Sequence, residues 1–260
     1  MRDENADANV LSKVPAVTLA FWVVKILATT LGETGGDALS MTLKLGYAVS
    51  TLIFLVFFLI TVTAQVKSSH YHPLFYWSVV VATTTVGTTT SDYFDRTLGL
   101  GYIKSSIILF ALVLILLAAW RHFTGAIRVD RITNRKDEIF YWVTILVSNT
   151  LGTALGDFVA TSTGLGFERG ALVFAGLIAV VAALHFFTAI PESVLFWAAY
   201  VLTRPLGATL GDTLTKPVAD GGLNLSRITS SLVMAVAMVV LVAVTSLRRR
   251  TTTPQAAPAG

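Results

Sequence analysis

The chain has no cysteine, only four histidines, and charged side chains at just 13% of its 260 positions. The missing cysteine excludes a disulfide framework, a thiolate metal site and thiol redox chemistry. An ordinary soluble domain is about 25% charged, so the charge deficit points to lipid as the surrounding solvent. A formal net charge of +4 is too small to describe a nucleic-acid-binding surface, and no nucleic acid is expected as a partner. A short apolar segment ending in a small-residue cleavage site is also lacking. The first apolar run follows the polar stretch Met1 to Lys13, which holds Asp3, Glu4 and Asp7, so a cleaved signal peptide is not expected. His70, His72, His122 and His185 lie at or near the ends of the apolar runs, away from any central site.

Hydrophobic residues make up 54% of the chain, and apolar runs of about twenty residues, the length of a helical span, recur along it. Inside these runs one motif occurs four times. Thr30-Leu31-Gly32-Glu33-Thr34-Gly35-Gly36-Asp37 is followed by Thr85-Val86-Gly87-Thr88-Thr89-Thr90-Ser91-Asp92. The third and fourth copies are Thr150-Leu151-Gly152-Thr153-Ala154-Leu155-Gly156-Asp157 and Pro205-Leu206-Gly207-Ala208-Thr209-Leu210-Gly211-Asp212. The copies start 55, 65 and 55 residues apart. A tryptophan stands fifteen residues before each aspartate (Trp22, Trp77, Trp142, Trp197) and a glycine nine after it (Gly46, Gly101, Gly166, Gly221). This is a four-fold internal repeat.

Two helices per repeat give an all-α integral membrane fold with eight transmembrane helices, at roughly 15–37, 46–64, 73–92, 102–120, 138–157, 169–189, 192–212 and 226–247. Pro15, Pro73 and Pro191 fall where a first helical turn tolerates proline. The repeats then span about 15–64, 73–120, 138–189 and 192–247, in one membrane domain. A polar linker at 121–137 separates two halves, and the Thr-, Pro- and Ala-rich tail 251–260 reads as disordered. Eleven Lys and Arg fall on the side of both termini and six on the other, which sets both termini in the cytoplasm of a bacterial inner membrane. An even number of spans per unit makes the four repeats parallel, pseudo-symmetric about the membrane normal.

Small residues five and one before each aspartate (Gly32/Gly36, Gly87/Ser91, Gly152/Gly156, Gly207/Gly211) form a small-xxx-small stripe that lets helices approach closely. Thr30, Glu33 and Asp37 follow at i, i+3 and i+7, as do Thr85, Thr88, Asp92 and Thr150, Thr153, Asp157. If the first helices of the repeats meet along these stripes, Asp37, Asp92, Asp157, Asp212 and Glu33 converge. A competing reading is that Gly-Asp merely ends each helix as a water-exposed cap. The stripes also serve plain packing, and the tryptophans serve as interfacial or packing anchors. Threonine hydroxyls are able to bond to the preceding turn.

Several buried carboxylates need neutralising, by protons, a bound cation, or Lys25 and Arg204, the two cations inside predicted helices. Oxygen donors from the acids, the threonines and Asn149 suit a hard cation such as Mg, Mn or Ca. Pro205 in the fourth copy removes a helical hydrogen bond and frees a carbonyl for a ligand or gate. Lys25 has a competing role as a side chain reaching for the interface.

From about Phe21 to Leu247 the four tandem copies, each with its tryptophan and terminal Gly-Asp, resemble a bacterial family of four-repeat integral membrane proteins of uncharacterised function. That resemblance implies architecture and no activity. A weaker likeness is to manganese/calcium cation exchangers carrying Glu-x-Gly-Asp followed by a basic residue and a hydroxyl. Here Glu33-Thr34-Gly35-Gly36-Asp37 has one residue too many, and Ala38-Leu39 replaces the basic-hydroxyl pair. Intramembrane aspartyl proteases also carry aspartates in helices. Their Gly-x-Gly-Asp needs glycine three before the aspartate, where this chain has Thr34, Thr89, Ala154 and Thr209, so no enzyme is expected.

The expectation is therefore a cation transporter, an exporter of divalent Mn or Mg with proton coupling. It has no resident cofactor, and its partners are the bilayer and the cation. Its site comprises the four aspartates, Glu33, Thr30, Thr85, Thr88, Thr150 and Thr153, with Lys25, Arg204 and Asn149 in gating or charge pairing. A non-transporting assembly protein, or a carrier of a small organic solute or anion through Lys25 and Arg204, is the alternative.

Overall fold

A computed structural model describes residues 13–68, 71–127, 132 and 134–252. Residues 1–12, His70, Arg128, Asp130 and Arg131 of the polar linker, and tail residues 253–260 lie outside the described part. Among the described residues there are eight long helices: α1 (Leu19–Asp37), α2 (Gly46–Lys67), α3 (Pro73–Asp92), α4 (Tyr102–Thr124), α5 (Arg135–Asp157), α6 (Gly166–Phe187), α7 (Glu192–Thr215) and α8 (Arg227–Thr252).

Local chemistry explains the boundaries. Helix α1 begins at Leu19 rather than near Pro15 because the Thr18 side chain caps it, its hydroxyl accepting from the Phe21 N–H at 3.3 Å. Pro73 does open α3, as expected of a residue without an N–H. The linker is shorter than the polar sequence implied. Helix α4 runs to Thr124 and α5 starts at Arg135, where Asn134 caps the Asp137 N–H at 2.8 Å. The motif glycines Gly46, Gly101, Gly166 and Gly221 all have φ between 76° and 82°, so their recurrence answers a left-handed turn after each aspartate.

The odd-numbered helices form an inner ring in which α1 touches α3, α3 touches α5, α5 touches α7 and α7 returns to α1. Each even helix leaves its own repeat and packs on the next inner helix: α2 on α3, α4 on α5, α6 on α7, and α8 on α1. The small-residue stripes make the inner contacts. Gly32 lies against Thr84, Gly87 against Asn149, Gly152 against Arg204 and Gly207 against Thr29, so one repeat position packs on the preceding repeat's glycine all the way round. Four residues on, Gly36 meets Thr88, Gly156 meets Ala208 and Gly211 meets Glu33. Matching steps of four on both partners mean that neighbouring inner helices run in the same direction.

The tryptophans work as packing elements. Phe21 meets Trp77, Tyr76 meets Trp142, Tyr141 meets Trp197 and Phe196 meets Trp22, with centroids 5.5–6.2 Å apart, so each aromatic reaches the next repeat's tryptophan. This belt closes the N-terminal end of the ring.

Five helices are long and apolar enough to cross a membrane: α2, α4, α5, α6 and α8. They mark the chain as a multi-pass helical membrane protein. Leu52, Ile60, Ile107, Ile115, Leu172 and Val236, all on even helices, are exposed, the pattern of a surface made for lipid. Helices α1, α3 and α7 are more polar because they spend their threonines, glycines and charges facing one another inside the ring.

Candidate functional site

The repeat stacks its inner residues in layers four apart, about 6 Å of helical rise per step. Below the aromatic belt come Lys25, Val80, Ile145 and Tyr200. Then follow Thr29, Thr84, Asn149 and Arg204, then Glu33, Thr88, Thr153 and Ala208, then the four aspartates.

Asp37, Asp92, Asp157 and Asp212 are 1–2% exposed, so they are not water-exposed caps. Three of the inner helices continue past their aspartate in a wider π-type turn, at Ala38–Thr42, Tyr93–Thr97 and Phe158–Ser162. In the first two a five-residue bond is visible, Leu43 N–H to Ala38 O and Leu98 N–H to Tyr93 O, each 2.9 Å.

The aspartates are neutralised by cations from the links that follow them. Arg96 places Nε 3.1 Å from Asp92 Oδ1 and Nη2 3.2 Å from Asp157 Oδ2. Lys216 repeats the arrangement half-way round, its Nζ 3.0 Å from Asp212 Oδ1 and 2.8 Å from Asp37 Oδ2. Each cation sits four residues after its own aspartate and bridges to the aspartate of the following repeat. The equivalent positions in repeats one and three are Met41 and Thr161, so every second repeat carries such a cation. Arg227 Nε adds a looser contact, 3.5 Å from Asp37.

Arg204 acts one layer higher. It is fully buried, and its Nη2 donates to Glu33 Oε2 at 3.0 Å, to Thr153 Oγ1 at 2.7 Å and to Thr88 Oγ1. These three acceptors are the same repeat position in the other three repeats, so one guanidinium holds all four inner helices. Glu33, Asp37 and Asp212 also form a group of buried acids whose ligand oxygens lie within 4.8 Å of one another. Asp37 Oδ1 and both Asp212 oxygens accept no hydrogen bond, although Asp212 Oδ1 is within ion-pair distance of Lys216.

Not every residue singled out in the sequence reaches this centre. Thr30, Thr85 and Thr150 are buried but turn their hydroxyls to the preceding turn, onto Ile26 O, Val81 O and Leu146 O at 3.0–3.1 Å. Asn149 donates to Thr83 Oγ1 at 3.0 Å rather than to the acids. Lys25 neither pairs with an acid nor reaches for an interface. It is fully buried with its Nζ 4.2 Å above the Tyr200 ring. Conversely, Arg96, Lys216 and Arg227 look like loop charges in the sequence. The signal that finds the first two is their i, i+4 spacing from a motif aspartate.

A family model described as a repeat of unknown function, DUF347, matches residues 20–71, 75–125, 140–190 and 195–251. The chain belongs to this family. Its four DUF347 repeats begin and end close to the helix pairs described above, and each contains one belt tryptophan and one ring aspartate. No curated protein matches the chain. No solved structure matches it either.

Proposed function

We propose that this DUF347 protein is a transporter, not an enzyme, that exports a small inorganic cation across a bacterial inner membrane, with Mn and Mg the preferred ions. The observation that carries this reading is the buried group Glu33, Asp37 and Asp212, which brings one oxygen from each residue within 4.8 Å of the others and leaves Asp37 Oδ1 and both Asp212 oxygens without a hydrogen bond. Carboxylates at that spacing, with Thr88 beside Glu33, suit a hard cation. Lys216 occupies the charge position between Asp37 and Asp212, so a substrate ion enters by displacing its ammonium, and the returning lysine expels the ion. Crowded carboxylates titrate as a coupled set, which links cation entry to proton release.

With both termini cytoplasmic, the four inner helices run parallel about an axis along the membrane normal, the aromatic belt toward the cytoplasm and the aspartates toward the far side. Repeats one-two and three-four then rock against each other to alternate access.

One observation favours a second reading. Arg96 and Lys216 already tie adjacent repeats through the aspartates, which is what a purely structural ion-pair ring requires. Flux of Mn, Mg, Ca and Zn into proteoliposomes under an imposed pH gradient separates the two. The transport reading expects flux of one ion that disappears in folded Asp212→Asn and Glu33→Gln variants. Unchanged flux in both variants removes the site, and no flux of any ion by folded protein leaves the structural reading.

A further inference from the structure

The acid ring is nearly charge-balanced; the layer above it is not. Between the aromatic belt and the aspartates the inner helices carry two cations, Lys25 and Arg204, against a single acid, Glu33, which Arg204 already engages. Lys25 is fully buried and its Nζ has no hydrogen-bond partner. Arg204 is fully buried too, and beyond its one working nitrogen Nη2 both Nε and Nη1 are idle. The two groups lie within electrostatic reach of each other, so each raises the cost of the other's charge.

An unpaired ion away from water costs several kcal/mol, and buried donors in native proteins are almost always satisfied. Arginine has no way out by losing its proton, because its guanidinium stays charged in proteins. The ammonium of Lys25 faces the Tyr200 ring at 4.2 Å, a contact that rewards the charged form. Three idle N–H-bearing nitrogens, drawn from the first and last repeats, therefore lack acceptor atoms.

We propose that Lys25 and Arg204 form a binding site for one small monovalent anion, a halide or a short carboxylate, on the opposite side of Glu33 from the aspartate ring. The anion accepts from Lys25 Nζ and from the free edge of Arg204, and it locks the seam between the first and last repeats. This site shares Arg204 with Glu33 of the carboxylate group but uses none of its oxygens, and its test does not depend on cation transport.

The test is thermal unfolding of the full chain in detergent at constant ionic strength, with chloride, formate or acetate replacing the bulkier gluconate. Wild type is expected to show a saturable rise of about 5 °C with at least one small anion at ~100-fold excess over its Kd. Lys25→Met is expected to lose that response, and to unfold later than wild type in gluconate because the unpartnered buried nitrogen is gone. A flat wild-type response overturns the proposal, as does an equal shift in the variant. Equilibrium dialysis of wild-type protein against labelled chloride and formate serves if the variant does not fold. One anion per chain is expected with either label, and no binding of both overturns the site.

Discussion

Lys216 Nζ lies 2.8 Å from Asp37 Oδ2, joining the last repeat to the first and closing a ring that the linear chain leaves open. The same ammonium holds Asp212 on its own helix, and Arg96 performs the matching step between repeats two and three. The seam is further reinforced by Arg204, which reaches Glu33 from α7. The chain's two ends are thus joined by charge at two levels of the bundle, and the predictions below concern those links.

Removing the closing cation should cost more than removing an ordinary surface lysine. Lys216→Met leaves buried Asp37 with only the loose Arg227 contact and takes from buried Asp212 its Lys216 ion pair. Breaking one partner of a buried pair costs about 3–5 kcal/mol, which lowers the unfolding temperature by many degrees. Calorimetry in detergent reads this directly; an unfolding temperature within a degree of wild type would mean that the ring is not closed by Lys216.

Arg96 bridges its two aspartates with two different nitrogens. A lysine offers one point charge on a flexible stem and does not reproduce that fork. Arg96→Lys is therefore expected to recover only part of the stability that Arg96→Met loses. Full recovery would show that charge alone matters there.

Glu33 and Arg204 should be energetically coupled. Glu33→Gln strands a buried guanidinium, whereas the double variant Glu33→Gln/Arg204→Met removes both charges. The pair's interaction energy in a double-mutant cycle should fall at the upper end of the usual 0.5–3 kcal/mol, roughly 2 kcal/mol or more. Additive single effects would refute the contact.

The glycine stripes make a graded steric prediction. A Cβ on Gly32 would run into the Thr84 side chain and its backbone carbonyl carbon, and one on Gly207 would run into Thr29 in the same way. On Gly35 it would meet nothing closer than 3.9 Å. Gly32→Ala and Gly207→Ala should each cost about 1–3 kcal/mol and lower the yield of monodisperse protein, while Gly35→Ala stays near wild type. Size-exclusion profiles of the three side by side decide it; equal profiles would show that the ring tolerates wider spacing.

Much of the candidate site was legible before any coordinates. The aspartates, Glu33 and the glycine stripes sit at fixed repeat offsets, and a buried face of a helix has to recur at steps of three and four. What the offsets hid was where each side chain's bonding capacity goes. Thr30, Thr85 and Thr150 share the motif with Thr88 and Thr153, yet only the latter two face Arg204, because the other three lie where their own preceding turn is the nearer acceptor. Arg96 and Lys216 read as loop charges because polar composition alone does not tell a solvated link from one folded back over buried acids.

The sequence by itself determined the periodic features: four repeats, helix pairs, one aspartate per repeat, and runs apolar enough for lipid. Each follows from local chain chemistry repeated at a constant interval. Only the tertiary structure decided how the repeats meet. That each outer helix packs on the next repeat's inner helix, that Lys216 and Arg204 close the seam, and that Lys25 lies unpaired beneath the aromatic belt depend on contacts between residues far apart in the chain, such as Ser231 and Thr34, 197 positions apart. Such pairings reflect which charged groups are left to share a common interior once the helices assemble, a condition that no stretch of the chain carries alone.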